Sequence, residues 1–420
     1  MTGESDIADP ALAEAGDARI GWARRAMPVL GLIGDRFAVE RPLRDLTVAA
    51  CLHVTAETAV LIRTLQAGGA RVALAASNPL STQDDTAAAL ARVAGISVFA
   101  RAGVDRDTYY GHIRAAVAPG PDLVVDDGGD LANTLHTERP DLLAKVRGGC
   151  ESTTTGVIRL RRMAAASALA FPVVAANDTP ARRMVDNVCG TGQSVVDGLL
   201  RATNTLLAGK TVVVAGFGAC GQGIASRVRG LGSQVVVTEI DPVRALDAVL
   251  QGFRVLPMLE AAAIGEIFVT ATGSRDVITA EHLAIMPDGV LLANAGHFDV
   301  EIDVRALDRL AVAVNPEVRP HTDEYVLADG RRLLLLAAGR VVNLVAAEGH
   351  PAAVMDLSFG IQALALAWLA ASPGVLPGVH EVPPTIDAEV ARLKLASLGT
   401  QIDVLTPDQR EYLASWQQGS

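Results

Sequence analysis

Short apolar runs of strand length alternate with longer segments of helical periodicity through the first part of the chain. The predicted strands are 46–52, 71–76, 96–100, 123–125 and 172–175, and the predicted helices are 56–67 and 83–94. Strands that alternate with helices along the chain pair in parallel and leave helices on both faces of the sheet. The pattern therefore predicts a doubly wound parallel sheet in this part of the chain.

The alternation resumes after an amphipathic helix predicted over 193–207. The later predicted elements are strands at 211–215, 234–237, 253–256, 267–270 and 289–294 and a helix at 222–231. Asp329-Gly330 lies between apolar runs and predicts a hairpin turn, with return strands over 331–337 and 340–344. A long apolar helix over 353–369 can pack back on the first sheet, and a short helix is expected near 388–398.

These elements predict an α/β protein made of two Rossmann-like doubly wound parallel-sheet domains plus a short C-terminal tail. A chain of 420 residues is too long for one ordinary core, which agrees with this division. We expect the first domain over 1–190, completed by about 346–385, and the second over 191–345. The tail covers 386–420.

A glycine-rich turn follows the strand predicted over 211–215. It reads Gly216-Phe-Gly218-Ala-Cys-Gly221 and leads into the helix predicted over 222–231. The first glycine permits the tight turn, the second lets backbone amides approach a pyrophosphate, and the third lets helix and strand pack closely. Glu239 ends the next strand, a little over twenty residues beyond the first glycine, where a carboxylate can bind a ribose diol. The pattern predicts bound NAD, and the carboxylate disfavours the 2'-phosphate of NADP.

The composition narrows the class of partner and the compartment. The net charge is −11 and the basic residues are scattered, which argues against a surface for nucleic acid or an anionic membrane. No run reaches eighteen uninterrupted apolar residues, and residues 1–20 carry acidic groups instead of a basic region before an apolar one. The cysteines Cys51, Cys150, Cys189 and Cys220 show neither metal-ligand spacing nor a disulfide framework. We expect a cytoplasmic protein with a small-molecule partner and no metal site.

Polar residues follow several predicted strands of the first domain, where ligands of parallel sheets bind. They are His53, Thr55, Ser81, Asp84, Asp126, Asp127, Asp130, Thr153, Thr154, Thr155, Asp186 and Asn187. Each kind has an ordinary structural interpretation, since a lone histidine is more often a hydrogen-bonded structural residue and threonine runs more often lie in strands or turns. It is their occurrence together that favours a functional site.

Taken together, these motifs resemble those of the adenosylhomocysteinase family over nearly the whole chain. The motifs are His53-Val-Thr55-Ala-Glu57-Thr, Ser81-Thr-Gln-Asp84, Asp126-Asp127-Gly-Gly-Asp130, Thr153-Thr154-Thr155-Gly156-Val, Asp186-Asn187, Gly216 to Gly221, Thr238-Glu239-Ile-Asp-Pro242, Gly296-His297-Phe-Asp-Val-Glu-Ile-Asp303, and Asn343 with Gly349-His350-Pro351. Gly190-Thr-Gly-Gln-Ser194 is similar to the archaeal and thermophile branch. The resemblance implies a substrate-binding first domain, an NAD-binding second domain, an adenine nucleoside as partner and a homotetramer.

The family's reaction, by resemblance, is a hydrolysis that passes through an oxidised sugar. Oxidation of the ribose 3'-hydroxyl makes the 4'-proton acidic, the 5'-substituent leaves, water adds to the alkene, and the ketone is reduced again. The implied catalytic residues are His53, Asp127, Arg182, Asp186 and His297, and the implied substrate-binding residues are Thr55, Glu57, Ser152, His350 and Met355. The implied NAD-binding residues are Thr153, Thr154, Thr155, Asn187, Gly216, Gly218, Gly221, Glu239 and Asn343.

Within these sets the resemblance assigns individual roles. Asp127 and His53 serve the 4'-proton and the leaving or entering group, Asp186 assists at the 3'-hydroxyl, and His297 lies near the 5'-position. Thr55, Glu57 and His350 contact the adenine.

Two positions depart from the family pattern around the ribose hydroxyls. Ser152 stands where the family has a second glutamate, and Arg182 stands where it has a lysine. An arginine stays protonated and cannot accept the 3'-proton as a lysine of lowered pKa can.

Three functions are therefore compared. The first is reversible hydrolysis of S-adenosylhomocysteine, and the second is a dehydratase that removes the 5'-hydroxyl of a modified-sugar adenine nucleoside and stops at the 4',5'-alkene. The third is a catalytically silent, NAD-bound regulatory paralogue, against which the retained His53, Asp127, Asp186 and His297 argue.

Overall fold

The computed structural model describes residues 5–416, which form two mainly parallel sheets surrounded by helices. The strands are, in chain order, β1 (Asp6–Ile7), β2 (Thr47–Leu52), β3 (Arg71–Ala76), β4 (Ile96–Ala100), β5 (Leu123–Asp126), β6 (Gly148–Glu151), β7 (Pro172–Ala175), β8 (Thr211–Ala215), β9 (Gln234–Thr238), β10 (Arg254–Val255), β11 (Ile267–Thr270), β12 (Val290–Asn294), β13 (Ala311–Arg319), β14 (Thr322–Leu327), β15 (Arg332–Leu336) and β16 (Gly378–Glu381). The mixed α/β class with two Rossmann-like sheets is thus confirmed.

The helices connect consecutive strands and close the two ends of the described chain. They are α1 (Ala13–Arg25), α2 (Pro28–Glu40), α3 (Ala56–Ala67), α4 (Asp84–Ala91), α5 (Arg106–Val117), α6 (Asp130–Glu138), α7 (Thr154–Ala165), α8 (Pro180–Arg182), α9 (Gly192–Thr203), α10 (Ala219–Gly230), α11 (Pro242–Leu250), α12 (Met258–Ala262), α13 (Ala280–Ile285), α14 (Val304–Leu310), α15 (Val342–Val345), α16 (Ala352–Ala371), α17 (Pro384–Ser397) and α18 (Pro407–Ala414). A π-helix, Arg183–Thr191, joins α8 to α9.

The first sheet is parallel throughout, in the order β1-β4-β3-β2-β5-β6-β7-β16. Every residue of β2, β5, β6 and β7 is buried, as expected for strands covered on both faces. The strand order reverses between β2 and β5, and ligands of such sheets bind beyond the carboxyl ends at this reversal.

The second sheet has the order β10-β9-β8-β11-β12-β15-β14-β13. It is parallel from β10 to β15, and β14 and β13 add an antiparallel edge. Its order reverses between β8 and β11, so the glycine-rich turn that follows β8 lies at the reversal.

The long apolar helix α16 belongs to the core of the first sheet. It packs on β6, α2, α3 and α17, and 72% of its most apolar window is buried. By length and composition it is the one helix of residues 5–416 that could span a bilayer, but this burial is that of a core helix. The long apolar helix was expected to pack back on the first sheet, and α16 does so. After α16, the strand β16 pairs with β7 at the edge of this sheet.

The predicted return strand over 340–344 is wrong. β15 ends at Leu336, the positive φ angles of Ala337 and Ala338 turn the chain, and Val342–Val345 is a short helix. The hairpin predicted at Asp329-Gly330 is present, with β14 and β15 paired around this turn and β15 in place of the strand predicted over 331–337. A short apolar run cannot by itself distinguish a strand from a buried helical turn, and here burial of Val342 in the second core decides.

Candidate functional site

A cavity of about 1290 Å³ lies between the carboxyl ends of the two sheets. This volume exceeds that of a typical small-molecule pocket and is large enough for a dinucleotide together with a nucleoside. The predicted site residues that line the cavity are His53, Thr55, Glu57, Asp127, Ser152, Thr153, Thr154, Thr155, Arg182, Asp186, Asn187, Gly216, Gly218, Glu239, His297, Asn343, His350 and Met355. Gly221 does not line it but lies beneath the turn, where a Cβ would meet the carbonyl oxygen of Gly216 at 1.9 Å.

The glycine-rich turn has the shape that a dinucleotide requires. Gly216 has a φ of +94°, and a Cβ there would lie 2.8 Å from the carbonyl oxygen of Ala271. The turn places backbone N–H groups at the start of α10, where the helix dipole favours phosphate. The residues of this turn therefore fit the dinucleotide that the sequence predicts.

Glu239 is held at the tip of β9 by backbone donors. Its Oε2 accepts the N–H of Phe217 at 2.6 Å, and its Oε1 accepts the N–H groups of Ile240 at 2.7 Å and Asp241 at 3.0 Å. The carboxylate is therefore oriented before any ribose binds, and it is tied to the same turn that approaches the phosphates.

Asn343 presents an unpaired acceptor to the cavity. Its Nδ2 donates to Ser194 Oγ at 3.0 Å, whereas its buried Oδ1 has no hydrogen-bond partner among the described residues. A buried carbonyl oxygen without a donor is costly, so this atom is suited to a donor supplied by a ligand.

The threonine run does not form the strand or surface turn that residue type alone favours. Thr153 caps α7, with its Oγ1 accepting the N–H of Gly156 at 2.9 Å, and the run forms the first turn of this helix. Thr154 Oγ1 accepts from Asn177 Nδ2 at 2.9 Å. A capped helix N-terminus thus lines the cavity beside Asp127 and Ser152, which directly follow β5 and β6.

Two buried carboxyl groups shape the loop that carries Asp127. Asp126 accepts the N–H groups of Asp127 at 3.0 Å and Ala132 at 2.8 Å, and Glu151 accepts those of Gly128 at 3.0 Å and Thr153 at 2.8 Å. Burial raises the pKa of Asp126 to about 7 and the pKa of Glu151 well above its usual range. These groups fix the backbone, which leaves Asp127 to face the cavity.

Asp127 lies between a hydroxyl group and an imidazole. Ser152 donates its hydroxyl proton to Asp127 Oδ1, and the Nε2 of His53 lies 3.4 Å from Asp127 Oδ2. Ser81 donates to the carbonyl of Asn78 at 3.0 Å, so its oxygen accepts the Nδ1 proton of His53 at 2.6 Å. The Nε2 of His53 is then the acceptor that faces Asp127, and a proton taken by one group can pass to the other.

The two histidines of this part of the cavity are held in the neutral form. Burial lowers the pKa of His53 to about 4, although the charge of Asp127 opposes the shift. Burial likewise lowers the pKa of His297, whose ring centroid lies 6.2 Å from that of His53. At neutral pH both rings are therefore able to accept a proton.

Asp186 is the centre of a separate hydrogen-bonded group. Its Oδ2 accepts from Arg182 Nε at 3.1 Å and from Ser358 Oγ at 2.5 Å, and its Oδ1 accepts from His350 Nδ1 at 3.0 Å. Burial alone would raise the pKa of Asp186, but the charge of Arg182 and the hydrogen bonds from His350 and Ser358 hold it well below its usual range. Asp186 is therefore an ionised anchor.

The remaining substrate positions surround the same side of the cavity. Thr55 caps α3, and Glu57 lies in its first turn. Burial raises the pKa of Glu57. Met355 lies on the face of α16 that reaches the cavity, together with Phe359 and Gln362 at helical spacing.

No role was predicted from the sequence for Gln362, Thr191 or Glu301, although Thr191 and Glu301 lie within motifs that carry the family resemblance. Gln362 is fully buried, lines the cavity, and has no partner for either amide atom among the described residues. Glu301 is 1% exposed and accepts from the N–H groups of Thr272 at 3.0 Å and Gly273 at 2.8 Å, so it fixes the loop after β11. Gln362 could have been identified from the sequence, because it is a polar residue inside the apolar run that forms α16.

Comparisons with known proteins agree with this arrangement. Residues 4–144 match the family model for S-adenosyl-L-homocysteine hydrolase, and residues 187–349 match that for the S-adenosyl-L-homocysteine hydrolase NAD binding domain. The chain is 56% identical to an adenosylhomocysteinase of Aquifex aeolicus over 99% of this chain and 100% of the relative. It is 52% identical to an adenosylhomocysteinase of Saccharolobus solfataricus, over 99% of both chains.

A relative with a different name has the same sequence identity to this chain as the Saccharolobus solfataricus protein. An S-inosyl-L-homocysteine hydrolase of Methanopyrus kandleri is 52% identical over 100% of this chain and 99% of its own. Identity alone therefore does not separate the two base specificities. With two family models and relatives matched along almost its whole length, the chain belongs to the S-adenosyl-L-homocysteine hydrolase family.

Proposed function

We propose that this enzyme hydrolyses S-adenosylhomocysteine to adenosine and homocysteine, using NAD that stays bound through the cycle. The observation that carries the proposal is a single cavity in which the glycine-rich turn and Glu239 lie opposite Asp127, His53 and His297. A dinucleotide site alone would serve many oxidoreductases, and a carboxylate with two neutral histidines alone would serve many hydrolases. Their union in one cavity suits a hydrolysis that requires a transient oxidation.

Bound NAD supplies a hydride acceptor, and later a hydride donor, for the 3'-carbon of the ribose. Glu239 binds the ribose diol of the cofactor, the turn from Gly216 to Gly221 accommodates its pyrophosphate, and Asn343 offers the unpaired Oδ1. Thr153, Thr154, Thr155 and Asn187 line the cavity beside them.

Asp127 and His53 perform the proton transfers of the elimination. Asp127 removes the 4'-proton, which is acidic while the 3'-carbon is a ketone. The proton passes across the 3.4 Å to His53 Nε2, which delivers it to the departing sulfur, and the reverse transfers accompany the addition of water. His297 lies on the same side and is close enough to share this role at the 5'-position.

Adenine is the base that the cavity favours. The resemblance assigns Thr55, Glu57 and His350 to the base, and Glu57 and Thr55 lie together at the start of α3. A carboxylate accepts a hydrogen bond from the 6-amino group of adenine, whereas the 6-oxo group of hypoxanthine has no proton to donate. Comparing kcat/KM for the S-adenosyl and S-inosyl thioethers tests this choice directly.

We further propose a cytoplasmic homotetramer. Exposed apolar side chains on the face of α11 and in the C-terminal tail are suited to contacts between copies of the chain. They include Val243, Leu246, Leu250, Tyr412 and Leu413. Mass measurement under native conditions tests the assembly.

The two other functions are not better supported. A dehydratase would use the same Asp127 and His53, and no feature of the cavity favours water over a thiol as the leaving group. A silent paralogue has no need of a neutral His53 beside Asp127. Incubating the NAD-loaded protein with S-adenosylhomocysteine and identifying the products by mass separates the three, because only the hydrolase releases homocysteine.

A further inference from the structure

The oxidation of the 3'-hydroxyl lacks an evident proton acceptor in this chain. Arg182 occupies the place of the family's lysine, and a guanidinium does not give up its proton in proteins. Asp186 is a weak base, because Arg182, His350 and Ser358 all donate to its carboxylate and hold its pKa well below the usual range. Another group close to Asp186 can then accept the proton.

A directed chain of hydrogen bonds leads from the glycine-rich turn to Asp186. Cys220 Sγ lies 3.7 Å from Thr191 Oγ1, Thr191 Oγ1 lies 3.1 Å from His350 Nε2, and His350 Nδ1 lies 3.0 Å from Asp186 Oδ1. Because Nδ1 donates to the carboxylate, Nε2 is the ring nitrogen that can accept a hydrogen bond from the Thr191 hydroxyl. Cys220, Thr191, His350 and Asp186 all line the cavity.

The backbone is shaped to hold this contact. A Cβ at Gly190 would lie 3.2 Å from His350 Nδ1 and 2.8 Å from a Val354 methyl group, so only glycine lets the imidazole approach the π-helix this closely. His350 is placed between Gly349, which has a φ of +77°, and Pro351, which precedes α16. Thr191 thus joins the turn that approaches the dinucleotide to the residues that surround the substrate.

We propose that the Thr191 hydroxyl and the His350 imidazole, oriented by Asp186, accept the proton of the 3'-hydroxyl when the sugar is oxidised. The inference rests on the proposed function, since it concerns the oxidation with which that reaction begins. It assigns His350 a role in proton transfer, where the resemblance placed it against the base.

The oxygen–hydrogen bond of the 3'-hydroxyl breaks and its proton goes to Thr191 Oγ1, while the proton of Thr191 goes to His350 Nε2. The electron pair of the carbon–hydrogen bond leaves with the hydride that bound NAD accepts, and the carbon–oxygen double bond forms. The imidazolium is stabilised by the Asp186 carboxylate, and the same proton returns when the ketone is reduced.

The first test uses Thr191→Val, which keeps the shape and removes the hydroxyl. In the NAD-loaded enzyme, reduction of the cofactor by adenosine should slow by about tenfold to a hundredfold, as loss of general-base assistance does, with little change in KM. His350→Gln should act similarly, and Arg182→Lys should restore part of the rate in either variant because it supplies a titratable amine beside Asp186. Thr203→Val, on the far end of α9, is the matched control.

The second test measures affinity without turnover. In the enzyme loaded with NADH, adenosine cannot be oxidised, so calorimetry can compare its affinity with that of 3'-deoxyadenosine. The wild-type protein should prefer adenosine, by about threefold to tenfold for one net hydrogen bond, and Thr191→Val should lose this preference. If His350→Gln fails to fold, Thr191→Val decides by itself.

The outcomes distinguish the inference from the proposed function. An unchanged oxidation rate and an unchanged preference for adenosine in Thr191→Val would overturn the proton path while leaving the hydrolase intact. A His350→Gln variant that changes only KM and the choice between adenine and hypoxanthine would return His350 to the base-binding role. A wild-type protein that never reduces its bound NAD with adenosine would remove the proposed function itself.

Discussion

At the scale of single residues, two aspartates that line one cavity have opposite properties because their neighbours differ. Asp186 accepts from a guanidinium, an imidazole and a hydroxyl group, which keeps it ionised. Asp127 accepts from the Ser152 hydroxyl and faces the Nε2 of a neutral His53, so it has no permanent cation against it. The same functional group is thereby suited to act as an anchor at Asp186 and, as we propose, as a base at Asp127.

Asp127→Asn should abolish elimination while 3'-oxidation persists. The amide keeps the shape of the carboxylate but cannot accept a proton, so the expected loss in elimination rate is about a hundredfold to ten thousandfold. Bound NADH, formed on addition of adenosine, reports the oxidation, and exchange of the 4'-hydrogen with deuterated water reports the proton removal. Exchange at the wild-type rate in this variant contradicts the assignment of the base.

Ser152→Glu with Arg182→Lys should raise turnover of S-adenosylhomocysteine and lower turnover of any modified-sugar substrate. The pair restores the family's residues, and both lie in the cavity, where Ser152 bonds Asp127 and Arg182 bonds Asp186. If Ser152 and Arg182 both contact the same ribose, the effects of the two single substitutions on ΔΔG‡ should be non-additive by about 0.5 to 3 kcal/mol. A double variant no better than an already efficient wild-type enzyme would show that the two departures are neutral.

At the scale of elements, α16 packs on the first sheet, lines the cavity, and contacts α2 and α17 from the two terminal parts of the chain. The face with Met355, Ser358, Phe359 and Gln362 reaches the substrate side. Asp356, which is fully buried, accepts the N–H groups of Val29 at 3.2 Å and Leu30 at 2.9 Å at the start of α2, and the Nζ of Lys394 from α17 at 3.0 Å.

Asp356→Ala should therefore destabilise the protein by about 3 to 5 kcal/mol, because it leaves Lys394 and two helix N–H groups without an acceptor. Lys394→Met is the matched control and should cost less, since the backbone donors still bind the carboxylate. The midpoint of denaturant unfolding measures both. A wild-type midpoint in Asp356→Ala would mean that water replaces the carboxylate and that the contact does not join these helices.

The bounds of a strand or helix could be predicted from the sequence where the residues of that element have a distinct local pattern. The buried parallel strand Thr211–Ala215 has a continuous β-branched run, so its bounds were predicted correctly. The run over 340–344 failed because the turn at Ala337 and Ala338 depends on two non-glycine residues with positive φ, for which the sequence has no marker. β13 was not predicted, since its residues are nearly all exposed and it contains Pro316.

Many of the predicted site residues line one cavity for a related reason. Residues that directly follow strands, such as His53 and Asp127, could be placed together because the carboxyl ends of parallel strands meet at one edge. Thr191 and His350 are distant in sequence and lie on a π-helix and a loop, so their contact follows only from the packing of α16 against the π-helix. Tertiary packing, not local pattern, sets such contacts.

At the scale of the whole molecule, two sheets turn their strand reversals toward one cavity. The domain limits predicted from the sequence, 1–190 with 346–385 and 191–345, remain a proposal that agrees with the strand content of the sheets. A cofactor bound between two such halves should be released slowly. We expect NAD to co-purify with the protein and to appear in the supernatant only after denaturation.

Glu239→Ala should weaken NAD binding, because the ribose diol loses an ionised acceptor and the Phe217 N–H of the turn loses its partner. The expected loss is about 1.5 to 3 kcal/mol, roughly tenfold to a hundredfold in Kd. Glu239→Gln keeps one acceptor oxygen and should lose less. Equal NAD content in all three proteins after dialysis contradicts the role of Glu239.

The central claim is that hydrolysis proceeds through an oxidised sugar and removal of the 4'-proton. The most direct measurement is to let the NAD-loaded enzyme act on S-adenosylhomocysteine in deuterated water and to examine the recovered adenosine by mass and by NMR. We predict homocysteine and adenosine that carries carbon-bound deuterium at C4', because the removed proton leaves with the sulfur and the atom returned to C4' comes from the added deuterated water. Adenosine formed without deuterium at C4', or a 4',5'-alkene as the only nucleoside product, would contradict the account.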